Sequence, residues 1–156
     1  MRVIHNIEPV YDGNSRILIL GSFPSVKSRE AMFFYGHPQN RFWKVISEVC
    51  KCDIPVTIEE KRELLLNNHI ALWDVIESCD IEGSSDSSIK NVRANDLSRI
   101  FTAADIKRIF ANGGTAYNLY RKYIGDNITR LPSTSPANAA WTLERLTDAW
   151  RIISKD

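Results

Sequence analysis

The segment Arg16-Ile-Leu-Ile-Leu20 constrains the fold most: after Arg16 it is short, apolar without interruption and stops at Gly21. A continuous apolar run of this length suits a strand buried on both faces, which is the habit of parallel sheets rather than of half-exposed antiparallel ones. Further runs at Ile70 to Ile76, Ile106 to Ala111 and Asn127 to Leu131 predict three more strands. Helical patterns lie between them. Phe42, Trp43, Ile46, Val49 and Cys50 recur at helical spacing, and Thr57 with Glu60 reads as a capping box ahead of Leu64 to Leu66. Leu97, Ile100 and Phe101 predict a short helix. Ala116, Tyr120 and Tyr123 predict another, closed by Gly125, and Leu143, Leu146, Ala149, Trp150 and Ile153 predict the last, with Trp141 on its apolar face. Strands alternating with helices imply right-handed crossovers and a three-layer α/β/α fold around a mostly parallel, four-stranded sheet.

An open parallel sheet binds ligands outside the carboxyl ends of its strands. That rule selects the loops beginning at Gly21, near Trp73 to Ser78, at Asn112-Gly113-Gly114 and at Pro132-Ser-Thr-Ser-Pro136. The chain of 156 residues fits one domain spanning 1–156. Its N-terminal stretch lacks the apolar run of a signal peptide and no segment is apolar for long enough to span a bilayer, so a cytoplasmic protein without a membrane partner is expected. Cys50, Cys52 and Cys79 are odd in number and match no common zinc spacing, and no metal or other cofactor is expected. The net charge of +1 argues against adhesion to nucleic acid by bulk electrostatics. Locally, Lys27, Arg29, Arg41 and Lys44 outnumber Glu30 around the first loop. The stretch Glu82-Gly-Ser-Ser-Asp-Ser-Ser88 reads as a solvated surface loop.

The first loop carries the densest signal. Gly21-Ser-Phe-Pro-Ser25 is followed by Phe33-Phe-Tyr-Gly-His-Pro-Gln-Asn-Arg-Phe-Trp43. A glycine directly after a strand lets backbone approach a ligand, and Pro24 stiffens the turn. Three consecutive aromatics exceed what one buried face absorbs, so at least one is expected to face a pocket, where it can stack on a flipped base.

Gly21-Ser-Phe-Pro with Tyr35-Gly-His-Pro-Gln-Asn-Arg-Phe-Trp-Lys-Val-Ile46 resembles motif I of the mismatch-specific branch of the uracil-DNA glycosylase superfamily. The nearest resemblance is to the hypoxanthine-DNA (deoxyinosine) glycosylase family, and Leu72-Trp-Asp-Val75 and Leu131-Pro-Ser-Thr-Ser-Pro-Ala-Asn-Ala139 are similar to its later motifs. Two positions depart from the wider superfamily. Phe23 stands where the mismatch-specific branch carries a water-positioning asparagine, and Leu131 where members commonly carry His or Asn. The deoxyinosine family resembles this chain in both. The resemblance therefore implies a monofunctional glycosylase that acts on double- or single-stranded DNA, prefers hypoxanthine over uracil or xanthine, and relies on Asn40. A monomer is expected.

The residues leave alternatives open at each position. Asn40 precedes an apolar-periodic segment and suits a helix N-cap, while its amide can also hold a water or touch a base. Tyr35 aligns with the stacking aromatic of relatives and otherwise belongs in the core. Gly21, Ser22, Phe23 and Pro24 are assigned to the base edge, or form a plain turn. Trp73 and Asp74 end the second strand and are assigned to base binding and catalysis. Asp74 can accept from N1–H of hypoxanthine or orient a water, with a raised pKa if desolvated; it can equally cap a helix or enter a loop salt bridge. Asp86 is the second carboxylate considered. Ser133, Thr134, Ser135, Pro136 and Asn138 are assigned to DNA, through hydroxyls and backbone N–H groups that suit a phosphate and through Asn138 filling the gap left by an extruded base. Asn112-Gly-Gly114 is a further phosphate candidate. A non-catalytic nucleic-acid-binding module and a hydrolase or transferase of free nucleotides are the competing functions.

Overall fold

A computed structural model describes residues 1–155. Its centre is the expected four-stranded sheet, built from β2 (Ile17–Gly21), β3 (Ile70–Asp74), β6 (Arg108–Asn112) and β7 (Thr129–Leu131) in the order β3-β2-β6-β7. All three pairings are parallel, with Leu18 beside Ala71 and Ile109. Leu18, Ile19 and Leu20 are fully buried, as a strand covered on both faces requires. The crossovers are α2 (Phe42–Val49) and α3 (Ile58–Asn67) between β2 and β3, and α5 (Gly114–Tyr123) between β6 and β7; α6 (Leu143–Trp150) follows. Helix α3 packs on β3, α5 on β6 and β7, and α2 on α6. Both halves of the Thr57–Glu60 capping box are present. No helix among the described residues is long and apolar enough to cross a membrane.

Three features differ from the sequence reading. The run Ile70 to Ile76 is not one strand: β3 ends at Asp74, and after Val75 the chain enters β4 (Ile76–Asp80) of a second sheet. That sheet is antiparallel, in the order β1 (Arg2–Ile4), β4, β5 (Lys90–Ala94), with pairings 10 to 78 residues apart in sequence and with β1 and β5 too short and exposed to register as apolar runs. A short helix α1 (Val26–Ala31), capped by Ser25, follows the first loop, whereas α4 (Ser98–Ala103) ahead of β6 is the short helix expected at Leu97 to Phe101. Lastly, Phe101, Tyr123 and Leu143, expected on apolar helix faces, are exposed by 41%, 43% and 42%. Each of their helices is covered over a narrower stripe than its periodicity suggests.

The sheet switch positions the site. At Val75 the chain bonds back to the first loop, Val75 N–H donating to Gly21 C=O (2.8 Å) and Ile76 N–H to Ser22 C=O (3.1 Å). From β5 side, Asn95 Nδ2 donates to Asp74 C=O (2.9 Å) and Asn95 N–H to Val75 C=O (2.8 Å). Asp74 is thereby held at the carboxyl edge of the parallel sheet.

Candidate active site

The carboxyl ends of β2, β3 and β6 open into a cavity of about 530 Å³, within the range of small-molecule sites. Gly21, Ser22, Phe23, Pro24, Tyr35, Asn40, Asp74, Ser133, Thr134, Ser135 and Pro136 all line it, although they come from three separated segments of the chain. Trp73 and Asn138 do not. Successive strand residues face opposite sides of a sheet, so the position that aims Asp74 at the cavity turns Trp73 away, where its Nε1–H donates to Ile7 C=O (3.1 Å). The Asn138 amide is tied back to its own loop, Nδ2 donating to Ser133 C=O (3.0 Å), so it does not project as a wedge. Trp73 as a base-binding residue and Asn138 as a gap filler are corrected on those grounds.

Asp74 occupies the cavity floor and is 3% exposed. Its Oδ2 is buried without a hydrogen-bond partner. A methyl group on Gly21 would stand 2.6 Å from Asp74 Oδ1 and 3.0 Å from the Tyr35 hydroxyl, so only glycine leaves room for the pair. The nearest basic group is His5, whose Nε2 lies 3.9 Å from Oδ2. This is not an ion pair. His5 Nδ1 accepts from Ile7 N–H (3.3 Å) and Nε2–H donates to Ile76 C=O (2.8 Å), which fixes a neutral tautomer, and burial lowers the pKa of the ring. Burial, and secondarily the charge of Asp86, push Asp74 up to about 7. Asp86 belongs to the serine-rich loop, and this too departs from the sequence reading. The loop is exposed to solvent, yet Ser84, Ser85, Asp86 and Ser87 line the cavity. Ser22 Oγ donates to Asp86 Oδ1 (3.1 Å), Val26 N–H to Ser84 Oγ (2.9 Å) and Arg29 to Gly83 C=O (2.8 Å).

Tyr35 has a left-handed backbone (φ 54°), which for a non-glycine residue costs on the order of 1–3 kcal/mol and is tolerated where the surroundings impose it. One face of its ring packs on Phe42 at 4.1 Å between centroids, and its hydroxyl is buried and unpartnered. Burial, then the Asp74 charge, raise the pKa of that phenol, which stays protonated.

Asn40 is part of a directed network. Its Oδ1 accepts from Phe42 N–H (2.9 Å), which serves the helix start, and from the Thr134 hydroxyl (2.9 Å). Because Phe42 N–H must meet an acceptor, the orientation of the amide is unambiguous. Thr134 Oγ1 in turn accepts from Asn112 Nδ2 (3.0 Å), and Asn112 Oδ1 accepts from Thr134 N–H (3.0 Å). Thr134 C=O accepts from Arg41 N–H (3.1 Å). Thr134 is 0% exposed with its hydroxyl, N–H and C=O all committed, so its part is to hold Asn40 rather than to contact DNA. Arg41, counted above among the local cations, is likewise turned inward. Its guanidinium donates to the carbonyls of Trp141, Ser135 and Asn138, and so clamps the late loop. Arg29 spans Gly83 C=O and the Phe23 ring, and Lys27 pairs with Glu30.

A shallower groove shares Asp86, Ser133, Ser135 and Ala137 with the cavity and adds Gly114, Arg130, Asn138 and Trp141. Gly113 (φ 96°) opens α5 there, and the Arg130 guanidinium lies 2.8 Å from where a side chain on Gly114 would begin. The Asn112-Gly-Gly turn thus serves the site twice, through the Asn112 side chain and through the groove floor. The side chain of Asn112 and the serines that flank Asp86 were missed as site components, Asp86 itself being the second carboxylate considered. Strand-end placement signals the first, whereas His5 and the serine loop have no signal short of the antiparallel pairing.

The profile of the family "Uracil DNA glycosylase superfamily" matches residues 8–154. The chain is 32% identical over 148 residues to a protein named hypoxanthine DNA glycosylase from Methanosarcina acetivorans, covering 92% of this chain and 93% of that one. It is 34% identical over 134 residues to one of the same name from Methanosarcina barkeri, covering 83% and 85%. A solution NMR structure from Methanosarcina acetivorans, described as a uracil DNA glycosylase, superposes with a TM-score of 0.79 at 31% identity, covering 99% of this chain and 100% of that one. A profile match over almost the whole chain, relatives above 30% identity along most of their length and a shared overall fold lead to one assignment: the chain belongs to the uracil DNA glycosylase superfamily.

Proposed function

We propose that the protein is a monofunctional DNA glycosylase that flips a deaminated base, hypoxanthine foremost, into the cavity and hydrolyses its N-glycosidic bond to leave an abasic site. One observation carries the reading: the cavity floor brings together a buried carboxyl (Asp74), a buried phenol (Tyr35) and an amide (Asn40) whose acceptor oxygen is already saturated by the protein. Asn40 Nδ2 has no acceptor among the described residues, so Asn40 acts as a hydrogen-bond donor, holding the attacking water by one lone pair while the other meets C1′ of the sugar. An amide cannot take up a proton, so its contribution is positioning and polar stabilisation. No lysine lines the cavity among the described residues, which favours water over an amine as nucleophile. Ser22 and the backbone around Phe23 face the base edge. Ser133, Ser135, Pro136 and the Arg130 groove face the flanking DNA, and the Arg130 guanidinium beside the cavity favours a polynucleotide over a free nucleotide.

Duplexes carrying hypoxanthine, xanthine, uracil or no lesion test this. Free hypoxanthine and an alkali-labile site are expected, with Asn40→Ala slower by about 100-fold or more, the scale of losing one preorganised polar group. Binding without base release would make the protein a nucleic-acid-binding module. Near-normal excision by Asn40→Ala would remove Asn40 from the chemistry.

A further inference from the structure

Asp74 is under-used by a role in base recognition alone. It is a carboxyl 3% exposed, set at the floor of the base cavity, with one oxygen sealed from solvent and unpartnered. The groups that face it offer no counter-charge. His5 has both ring nitrogens committed as a neutral tautomer, Tyr35 is a neutral phenol, and Asp86 across the cavity carries the same sign. Asn112 and Ser22 are uncharged. His37 lines the same cavity and has Nδ1 engaged by Gln39 N–H (3.1 Å), and no lysine or arginine lines it among the described residues. A carboxylate in such a place carries an uncompensated desolvation cost, whereas a carboxylic acid does not. The two oxygens are also unlike. Oδ2 is sealed behind His5, while Oδ1 lies on the Gly21 and Tyr35 side of the cavity, so Oδ1 is the atom that can present a proton to a ligand.

We propose that Asp74 works as a neutral carboxylic acid that protonates the departing base, Oδ1 delivering its proton as the glycosidic bond breaks. This rests on the glycosylase reading and adds the identity of the acid. The bond pair of C1′–N passes to the base, and the Asp74 proton neutralises it, so that the base leaves as a neutral molecule rather than an anion. Water held by Asn40 adds to C1′ and releases its proton to solvent. Asp74 regains a proton from solvent once the base has left. The division of labour follows from the hydrogen bonds: Asn40, with its acceptor oxygen saturated, serves the nucleophile, and Asp74 serves the leaving group. The same carboxyl near neutrality is poised for such an exchange, since burial and Asp86 bring it to about 7.

Single-turnover excision from a duplex carrying one 2′-deoxyinosine, measured from pH 5 to 9 with wild type and Asp74→Asn, tests the assignment. The wild-type rate constant is expected to fall about tenfold per pH unit above roughly 7, because the acid form is the active one. Asp74→Asn is expected to lose at least about 100-fold at pH 6 and to lose that limb, while binding abasic duplex as wild type does. A wild-type rate that rises through the same range would make Asp74 a base and overturn the proposal, as would an Asn variant within tenfold of wild type. If the variant fails to fold, the direction of the wild-type limb still decides. Wild type that releases no base from any lesion duplex would instead overturn the glycosylase reading beneath it.

Discussion

Thr134→Val isolates the network that holds Asn40. Valine matches threonine in shape, but it removes the donor to Asn40 Oδ1 and the acceptor for Asn112 Nδ2, and leaves the backbone bonds to Asn112 and Arg41 in place. Losing a buried hydroxyl that makes two hydrogen bonds, at a residue 0% exposed, costs about 1–3 kcal/mol. For a chain of this size each kcal/mol moves Tm by about 2–4 °C, so a fall of roughly 2–12 °C is expected in a thermal melt. The functional effect is separable. Asn40 keeps its bond from Phe42 N–H, so the start of α2 survives, but the amide is held by one partner where it had two. Displacement of a positioning group by about 1 Å costs up to 100-fold, so kcat for hypoxanthine excision is expected to fall tenfold or more. Thr134→Ser keeps the hydroxyl and is expected to stay within about threefold of wild type, since the bond to Asn40 is retained. A Val variant with lowered Tm and unchanged kcat would show that Thr134 stabilises the loop without positioning Asn40, and one unchanged in both would refute the network.

Asp74 also makes a statement about stability. Its folded pKa lies near 7, above the unfolded value of 3.8, so its favourable contribution is complete below about 4 and is lost as pH rises through 7. The Tm of wild type relative to Asp74→Asn is therefore expected to decline between pH 4 and 8; a constant difference would mean that the carboxyl is compensated in the fold. Arg41→Met removes the guanidinium clamp on Trp141, Ser135 and Asn138, and is expected to weaken binding to abasic duplex without changing the slope of log Kd against log salt concentration. Arg130→Ala in the adjoining groove is expected to lower that slope by about one, as loss of one phosphate contact does. A salt slope that changes for Arg41 and not for Arg130 would reverse these assignments.

The parallel sheet was legible in the chain because its code is local. Ile17 to Leu20 and Ile109 to Ala111 are apolar without interruption, and any strand buried on both faces must be. The carboxyl-end rule alone picks out the loops that carry Gly21, Asp74, Asn112 and Ser133, and the pairing of β3, β2, β6 and β7 brings them to one edge. The motif around Tyr35 to Trp43 carried the family for a similar reason, being one contiguous segment. Tertiary structure alone decided what depends on partners distant in sequence. The antiparallel sheet joins Arg2 to Asp80, and by doing so brings His5 against Asp74 and the serine loop over the cavity. Pleat phase decided that Asp74 and not Trp73 faces the cavity. Hydrogen-bond saturation decided that Asn40 spends its Oδ1 on Phe42 N–H and the Thr134 hydroxyl while Arg41 stands at the N-cap of α2, that Thr134 holds Asn40, and that the Arg41 guanidinium clamps the late loop. A side chain's type states what it can donate or accept; which of those capacities is left for a substrate depends on what the folded protein has already consumed.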